Sequence, residues 1–566
     1  MIKLMKNLIF GLIFSVLISS LGFAQQNNSP SKPKLVVGIV VDQMRQEYFY
    51  KYQDRYSEGG FKRLLNDGFV MKNAHYNYIP TYTGPGHASV YTGATPATHG
   101  IIANDWYVRS LGKSMYCAGD STVTAVGGSA NSGKISPRNM FSTTISDELR
   151  FSTNKRSKVV GIAIKDRGAA LPAGHLGDAY WYDSNTGNFM TSTYYHQKLP
   201  KWVIDFNNKK LADKYLSQTW ETLFPVASYI QSIADNNAFE GPFFGKDNTA
   251  FPYNLAELKE DNGGYGLLGT TPFGNSLTWD MAYAAIEGEQ LGKRNETDLL
   301  AISFSSPDYI GHRFGPTSVE VEDNYLRLDR EMEQFLNFLD KEYGKNEYLI
   351  FLTADHAVAD IVDYMKSENV PAGNFNTRFI LTQLRGFTNE KFGEGNWISN
   401  FSNEQVFFNQ QLIKEKNINP EEIQRAVAEF LLGFEGVKEV YTATDLRRSE
   451  FTLGRAHLLQ MGYNHKASGD LLLILEPAWL SSSYKGTTHG TGYTYDTHVP
   501  ILFYGWNVSK GESVRHVNIT DIAPTLSMML NTRLPNGATG QPIAEVLKPQ
   551  KVSVSVITQS IKKRSK

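Results

Sequence analysis

At 566 residues the chain is too long for one small core, and its formal net charge of −1 leaves no basic excess for nucleic acid or an anionic membrane surface. A hydrophobic share of 41% is that of an ordinary folded protein. Cys117 is the lone cysteine, so an internal disulfide and a thiolate-rich metal site are both excluded, and any bound metal must use nitrogen and oxygen ligands.

In chain order, Lys3 and Lys6 precede an apolar run over 8–23, and Gly22-Phe23-Ala24 supplies small residues for cleavage. This pattern predicts an export signal over 1–24, cleaved after Ala24, and hence a periplasmic or secreted protein. No cysteine follows the run, so no lipid anchor is expected. No later run is long and apolar enough to serve as a membrane anchor. Short apolar runs then recur, several ending on ionisable residues: 34–41 (KLVVGIVV) before Asp42, 158–164 (KVVGIAI) before Lys165-Asp166-Arg167, 299–304 (LLAISF) ahead of Asp308, and 348–353 (YLIFLT) before Asp355-His356. Two more, 470–475 (DLLLIL) and 499–504 (VPILFY), come later. Runs that do not alternate are strands buried on both faces. They predict an α/β fold with a mostly parallel central sheet flanked by helices. Between them, Val321, Tyr325, Leu328, Met332, Phe335 and Leu339 recur at helical spacing, with Ser318 as cap and Gly344 near the end. The stretches at about 106–156, 171–285 and 371–468 break the pattern and are read as cap insertions in a single catalytic domain over 25–549. A basic tail occupies 550–566.

In an open α/β sheet a ligand sits beyond the carboxyl ends of the strands. Asp42, Asp308, His312, Asp355, His356 and His489 follow such ends or lie downstream, and three carboxylates with three imidazoles suit two borderline metal ions such as zinc. Asp308 and His312 are four apart, one helical turn. In 82–89 (YTGPGHAS), Gly84 and Gly86 permit tight turns and 87–91 can open a helix, which puts Thr83 near a helix N-terminus. A threonine hydroxyl is a poor nucleophile at neutral pH unless a metal ionises it.

The stretches 40–44 (VVDQM), 81–87 (TYTGPGH), 100–106 (GIIANDW), Lys165-Asp166-Arg167, 305–316 (SSPDYIGHRFGP), 322–330 (EDNYLRLDR), 353–356 (TADH) and 486–490 (GTTHG) together resemble the alkaline phosphatase superfamily, especially the phosphate-irrepressible alkaline phosphatases of flavobacteria. The resemblance implies one zinc on Asp308, His312 and His489, and a second on Asp42, Asp355 and His356. It implies Thr83 as nucleophile, bound to the second zinc. Asn104, Lys165 and Arg167 would contact the phosphoryl oxygens. It further implies a monomer acting on small-molecule phosphate monoesters through a phosphothreonine, with release of inorganic phosphate. One departure is Ala357, where the family commonly has glycine, so a methyl group is expected to crowd the Asp-His pair. A phosphodiesterase or nucleotide pyrophosphatase of the same superfamily is the alternative reading. A secreted metal- or phosphate-binding protein is the non-enzyme one. A sulfatase would need cysteine or serine where Thr83 stands. A phosphoethanolamine transferase would need membrane spans. A phosphate-sugar mutase would be expected in the cytosol.

Overall fold

The structure, a computed structural model, describes residues 32–481 and 485–547. The expected signal at 1–24 and the tail at 550–566 lie outside the described residues. Among the described residues ten strands form the central sheet: β1 (Leu35–Val41), β2 (Phe69–Met71), β3 (Ala125–Val126), β4 (Val159–Ala163), β5 (Asp178–Asp183), β6 (Asn188–Ser192), β7 (Asp298–Phe304), β8 (Tyr348–Thr353) and, after the four strands β9–β12 of a smaller sheet described below, β13 (Ile501–Gly505) and β14 (Gly511–Ser513). Their order is β14-β2-β13-β8-β1-β7-β4-β5-β6-β3. The five strands from β8 to β5 are parallel, while β13 pairs antiparallel with both β8 and β2, and β6 antiparallel with both β5 and β3. The expected parallel sheet is therefore the centre of a larger mixed one.

Register decides where the chemistry sits. Val41 lies opposite Phe304, Val40 opposite Thr353, and Ser303 opposite Ala163. The residues that follow β1, β4, β7 and β8 therefore emerge along one edge. After β4 comes helix α2 (Asp166–Ala173) and after β7 helix α4 (Ser306–Phe314). Helix α1 (Thr83–Thr92) precedes β3, and α3 (Phe273–Glu289) packs on the sheet ahead of β7. Helix α5 (Val319–Tyr343) follows the predicted pattern: the Ser318 hydroxyl accepts from the Val321 amide and Gly344 ends it at φ 96°.

The run at 470–475 departs from expectation. It forms β12 (Leu471–Leu475) of a separate antiparallel sheet with β9 (Ile398–Ser402), β10 (Gln405–Phe408) and β11 (Val437–Thr442), in the order β9-β10-β12-β11. Strand β12 is interior to that sheet and wholly buried, so its composition mimics a central strand. With helices Thr377–Phe392 and Pro420–Leu432 the small sheet closes a core of its own around Leu384, Trp397, Val406, Ile423, Val427 and Leu471. The run at 499–504 supplies β13, which enters the central sheet antiparallel. Strands β3, β5 and β6 lie within the stretches 106–156 and 171–285, so those stretches extend the sheet as well as leaving it.

Candidate active site

The sheet edge gathers six ligand-type side chains into two sets: Asp308, His312 and His489 in one, Asp42, Asp355 and His356 in the other, each with donor atoms within 4.8 Å of one another. Asp42 leaves β1 and Asp355-His356 leave β8, while Asp308 and His312 share one face of α4. The three imidazoles are aimed in the same way. His312 Nδ1–H donates to the Thr487 carbonyl (2.8 Å), His356 Nδ1–H to Ala357 (2.9 Å) and His489 Nδ1–H to Thr81 (2.7 Å). A carbonyl can only accept, so each Nδ1 carries a proton and each Nε2 faces the carboxylates; burial leaves Nε2 bare on His356 and His489, whereas at His312 the adjacent Asp308 carboxylate overcomes burial and raises the pKa. His312 Nε2 is 3.1 Å and His489 Nε2 3.6 Å from Asp308 Oδ1, and His356 Nε2 is 3.4 Å from Asp42 Oδ1. The His356 and His489 rings stack at 3.4 Å, which brings the two sets side by side.

Electrostatics make this edge demanding. Burial pushes the Asp42 carboxyl well above its usual range, with Asp355 adding to the effect, and burial raises Asp355 to about 6. Burial works against the Asp308 charge too, but His312 and Lys165 outweigh it and hold Asp308 well below the ordinary value. Burial lowers His356 to about 3 and takes His489 well below 6.5, so both rings are neutral, as ligands must be. Asp42 Oδ1 and Asp355 Oδ2 are buried without a hydrogen-bond partner among the described residues. Oxygen and imidazole donors, unpaired carboxylate oxygens and neutral rings with bare Nε2 atoms fit two divalent cations of the zinc kind.

Thr83 is the first residue of α1, with Tyr82 as its cap, so the helix begins four residues earlier than the sequence suggests. Its Oγ1 lies 3.4 Å from His356 Nε2 and 3.5 Å from Arg167 Nη2. Gly84 and Gly86 serve close approach instead of turns: both are helical, and a Cβ on Gly86 would stand 2.2 Å from the Asp355 carbonyl oxygen. Asn104 Oδ1 accepts from the Gly84 amide (2.7 Å), so the end of Asn104 available to a ligand is its NH2. Arg167 is held by Tyr116, whose hydroxyl accepts from Nη1 (3.1 Å) and donates to Asp166. Lys165 Nζ lies between Asp42 Oδ2 (2.7 Å) and Asp308 Oδ2, one carboxylate from each set. Expected over a phosphoryl group, this ammonium is drawn here onto the two carboxylates.

The expected crowding by Ala357 does not arise. The residue keeps an ordinary φ, its methyl joins the main apolar core, and its amide donates to the Asp496 carbonyl (2.8 Å). Four residues were missed by the sequence reading. Gln43, at φ 67°, donates its side-chain amide to Asp308 (2.7 Å) and its backbone amide to Asp355 (3.2 Å), one ligand from each set. Asp496 gathers the amides of Gly490 (3.1 Å) and Thr491 (2.7 Å) and so braces the loop after His489. Tyr116 and Asp166 orient Arg167. Gln43 and Asp166 lie inside motifs already quoted, whereas nothing in the sequence marks Tyr116 or Asp496.

Fold and site together define a class. The profile of the type I phosphodiesterase / nucleotide pyrophosphatase family matches residues 36–500, and the chain belongs to that family, within the alkaline phosphatase superfamily. It is 46% identical over 521 residues to a protein of Myroides odoratus named calcium-transporting ATPase, covering 91% of this chain and 95% of that one. It is 45% identical over 536 residues to alkaline phosphatase PafA of Elizabethkingia meningoseptica, covering 94% and 98%. The crystal structure of wild-type PafA matches this fold with a TM-score of 0.89 over 92% of this chain and the whole of that one. By these likenesses this chain is an enzyme, a phosphatase.

Proposed function

We propose that this phosphatase hydrolyses phosphate monoesters with Thr83 as its nucleophile. The observation that carries the reading is the Thr83 hydroxyl on the first turn of a buried helix, within reach of His356 Nε2 and Arg167 Nη2 and beside the two ligand sets. Asp308, His312 and His489 would hold one zinc ion, and Asp42, Asp355 and His356 the other, together with Thr83 Oγ1. When bound, such ions supply Lewis acidity that lowers the pKa of a hydroxyl and stabilises a departing alkoxide.

The side chains then divide the work. Thr83 Oγ forms a bond to phosphorus while the ester P–O bond breaks, and the alcohol leaves with a proton. The α1 N-terminus favours the negative charge of the resulting phosphothreonine. Asn104 donates its NH2 to one phosphoryl oxygen, and Arg167, braced by Tyr116, spans others with its planar fork. With Asp42 and Asp308 engaged as ligands, Lys165 would turn towards the phosphoryl group as a point charge. Water cleaves the phosphothreonine and releases inorganic phosphate. With the stretch 1–24 read as an export signal, this takes place in the periplasm or outside the cell, in a monomer whose stretches at about 106–156, 171–285 and 371–468 cap the site.

Replacing Thr83 by Ala tests the nucleophile. The variant should keep its zinc by elemental analysis and lose nearly all turnover of an aryl phosphate. Near-normal turnover by the purified variant would exclude Thr83. The family description itself keeps a second reading open, hydrolysis of phosphodiesters, and the charge around the phosphoryl group separates the two.

A further inference from the structure

Away from the two ligand sets, two glutamates are buried and form no ion pair among the described residues. Glu240 lies in the loop before Tyr253 and Glu320 in the first turn of α5, and both are fully buried. Among the described residues, neither carboxylate oxygen of Glu240 nor Oε2 of Glu320 has a hydrogen-bond partner. The remaining oxygen, Glu320 Oε1, meets the Tyr253 hydroxyl, which also meets the Thr249 carbonyl. One hydroxyl hydrogen cannot serve both acceptors, so the pocket is rich in oxygen and poor in protons. Thr249 Oγ1 faces the carbonyls of Asp235 (3.3 Å) and Asn237 (3.5 Å), which adds further oxygen around the same loop. The ammonium of Lys246, 5.0 Å over the Tyr253 ring, donates to Asn248 Oδ1 and the Ala250 carbonyl and to neither glutamate. Arg313 turns its guanidinium to the carbonyls of Gly241 and Pro242.

An unpaired buried carboxylate is costly, and a pair of them more so. Burial raises Glu240 to about 8 even though Asn237 and Thr249 pull it down, and burial and the Glu240 charge together hold Glu320 well above its usual range. Such a pair is retained either by sharing a proton or by binding a cation. Carboxylates beside a carbonyl and a hydroxyl, with no imidazole or thiolate, are ligands for a hard ion.

We propose that Glu240 and Glu320, with the Thr249 carbonyl and the Tyr253 hydroxyl, hold a structural divalent cation of the calcium class. Its place gives it a task. The same loop backs the first ligand set: the Gly241 amide donates to the Arg313 carbonyl (2.9 Å), one residue beyond His312, and the Phe239 carbonyl accepts from Gly486 (3.2 Å), three residues before His489. Phe243 and Tyr253 pack on Phe314 at the end of α4. The cation would clamp the loop to α5 and so fix the wall behind His312.

Equilibrium dialysis of the zinc-saturated full chain against calcium alone tests this, with thermal melting read alongside. One calcium ion per chain is expected beyond the zinc, with a rise in the melting midpoint, and both should be lost in Glu240→Gln/Glu320→Gln while zinc content is kept. If the double variant does not fold, Glu320→Gln alone should show weakened calcium binding in the same dialysis. No saturable calcium in the parent chain would overturn the site and leave a shared proton as the explanation. Equal binding by parent and variant would overturn it as well.

Discussion

On the proposed reading, single side chains around the phosphoryl position would set the preference between esters. Arg167 is fixed beside Thr83 by Tyr116 and Asp166, and Lys165 stands two residues beyond the end of β4. Two cationic side chains favour a monoester, which carries one more negative charge than a diester and no second substituent where a side chain must sit. Losing a contact made in the transition state costs about 2.7–4 kcal/mol, or about 10²–10³ in rate. The Lys165→Ala/Arg167→Ala variant should therefore lose several orders of magnitude on an aryl phosphate monoester and much less on the diester. The ratio of the two rate constants is the measurement. An equal fall in both would return weight to the diesterase reading.

Helix α1 packs backbone to backbone against the residues that leave β8. Gly86 brings the helix backbone so close to Asp355 that a Cβ would meet its carbonyl oxygen at 2.2 Å and its Cβ at 2.7 Å. Backbone cannot swing aside as a flexible side chain can, so Gly86→Ala must push Thr83 and Asp355 apart. We expect about 1–3 kcal/mol of lost stability, in the range of core overpacking, together with reduced zinc content and turnover. Denaturant unfolding with elemental analysis would show it, and an unchanged midpoint with full zinc would refute the close approach. The small sheet also reaches the site. Its β9–β10 turn brings Glu404 to the Tyr82 hydroxyl (3.3 Å) and Asn403 to the Asp105 carbonyl (2.7 Å), neighbours of Thr83 and Asn104. The segment with its own core is thereby tied to both sides of the candidate phosphoryl position.

For the whole molecule, the site concentrates three buried carboxylates at the junction of four sheet strands, with the Lys165 ammonium shared between Asp42 and Asp308. Metal binding and global stability should therefore be linked, because ions bound to the folded state alone stabilise it by mass action. At a free concentration of about 100 times Kd, each site adds about 2.7 kcal/mol. Chelation should lower the melting midpoint and abolish activity, and zinc should restore both, with two ions per chain at full activity. Calorimetry and elemental analysis on one preparation would check this, and full activity with one ion or none would overturn the two-metal reading.

Much of this organisation was written locally. Strands buried on both faces must be continuous apolar runs, so β1, β4, β7 and β8 and the ionisable residues at their ends were legible along the chain, as was the Ser318-capped helix. The motifs carried Thr83 and all six ligand-type residues in family order, and the structure brings these together. Local pattern reports that a segment is buried but not which neighbours bury it. For that reason β12 passed for a central strand while belonging to another sheet, and β13 gave no sign that it runs antiparallel. Contacts between distant segments were likewise invisible: Gln43 joining Asp308 to Asp355, Tyr116 bracing Arg167, Lys165 bridging two carboxylates, and Tyr253 meeting Glu320. Local chain pattern marked which ionisable residues stand at the ends of which strands. Their aim came from the fold, because aim depends on hydrogen bonds and burial supplied by residues hundreds of positions away.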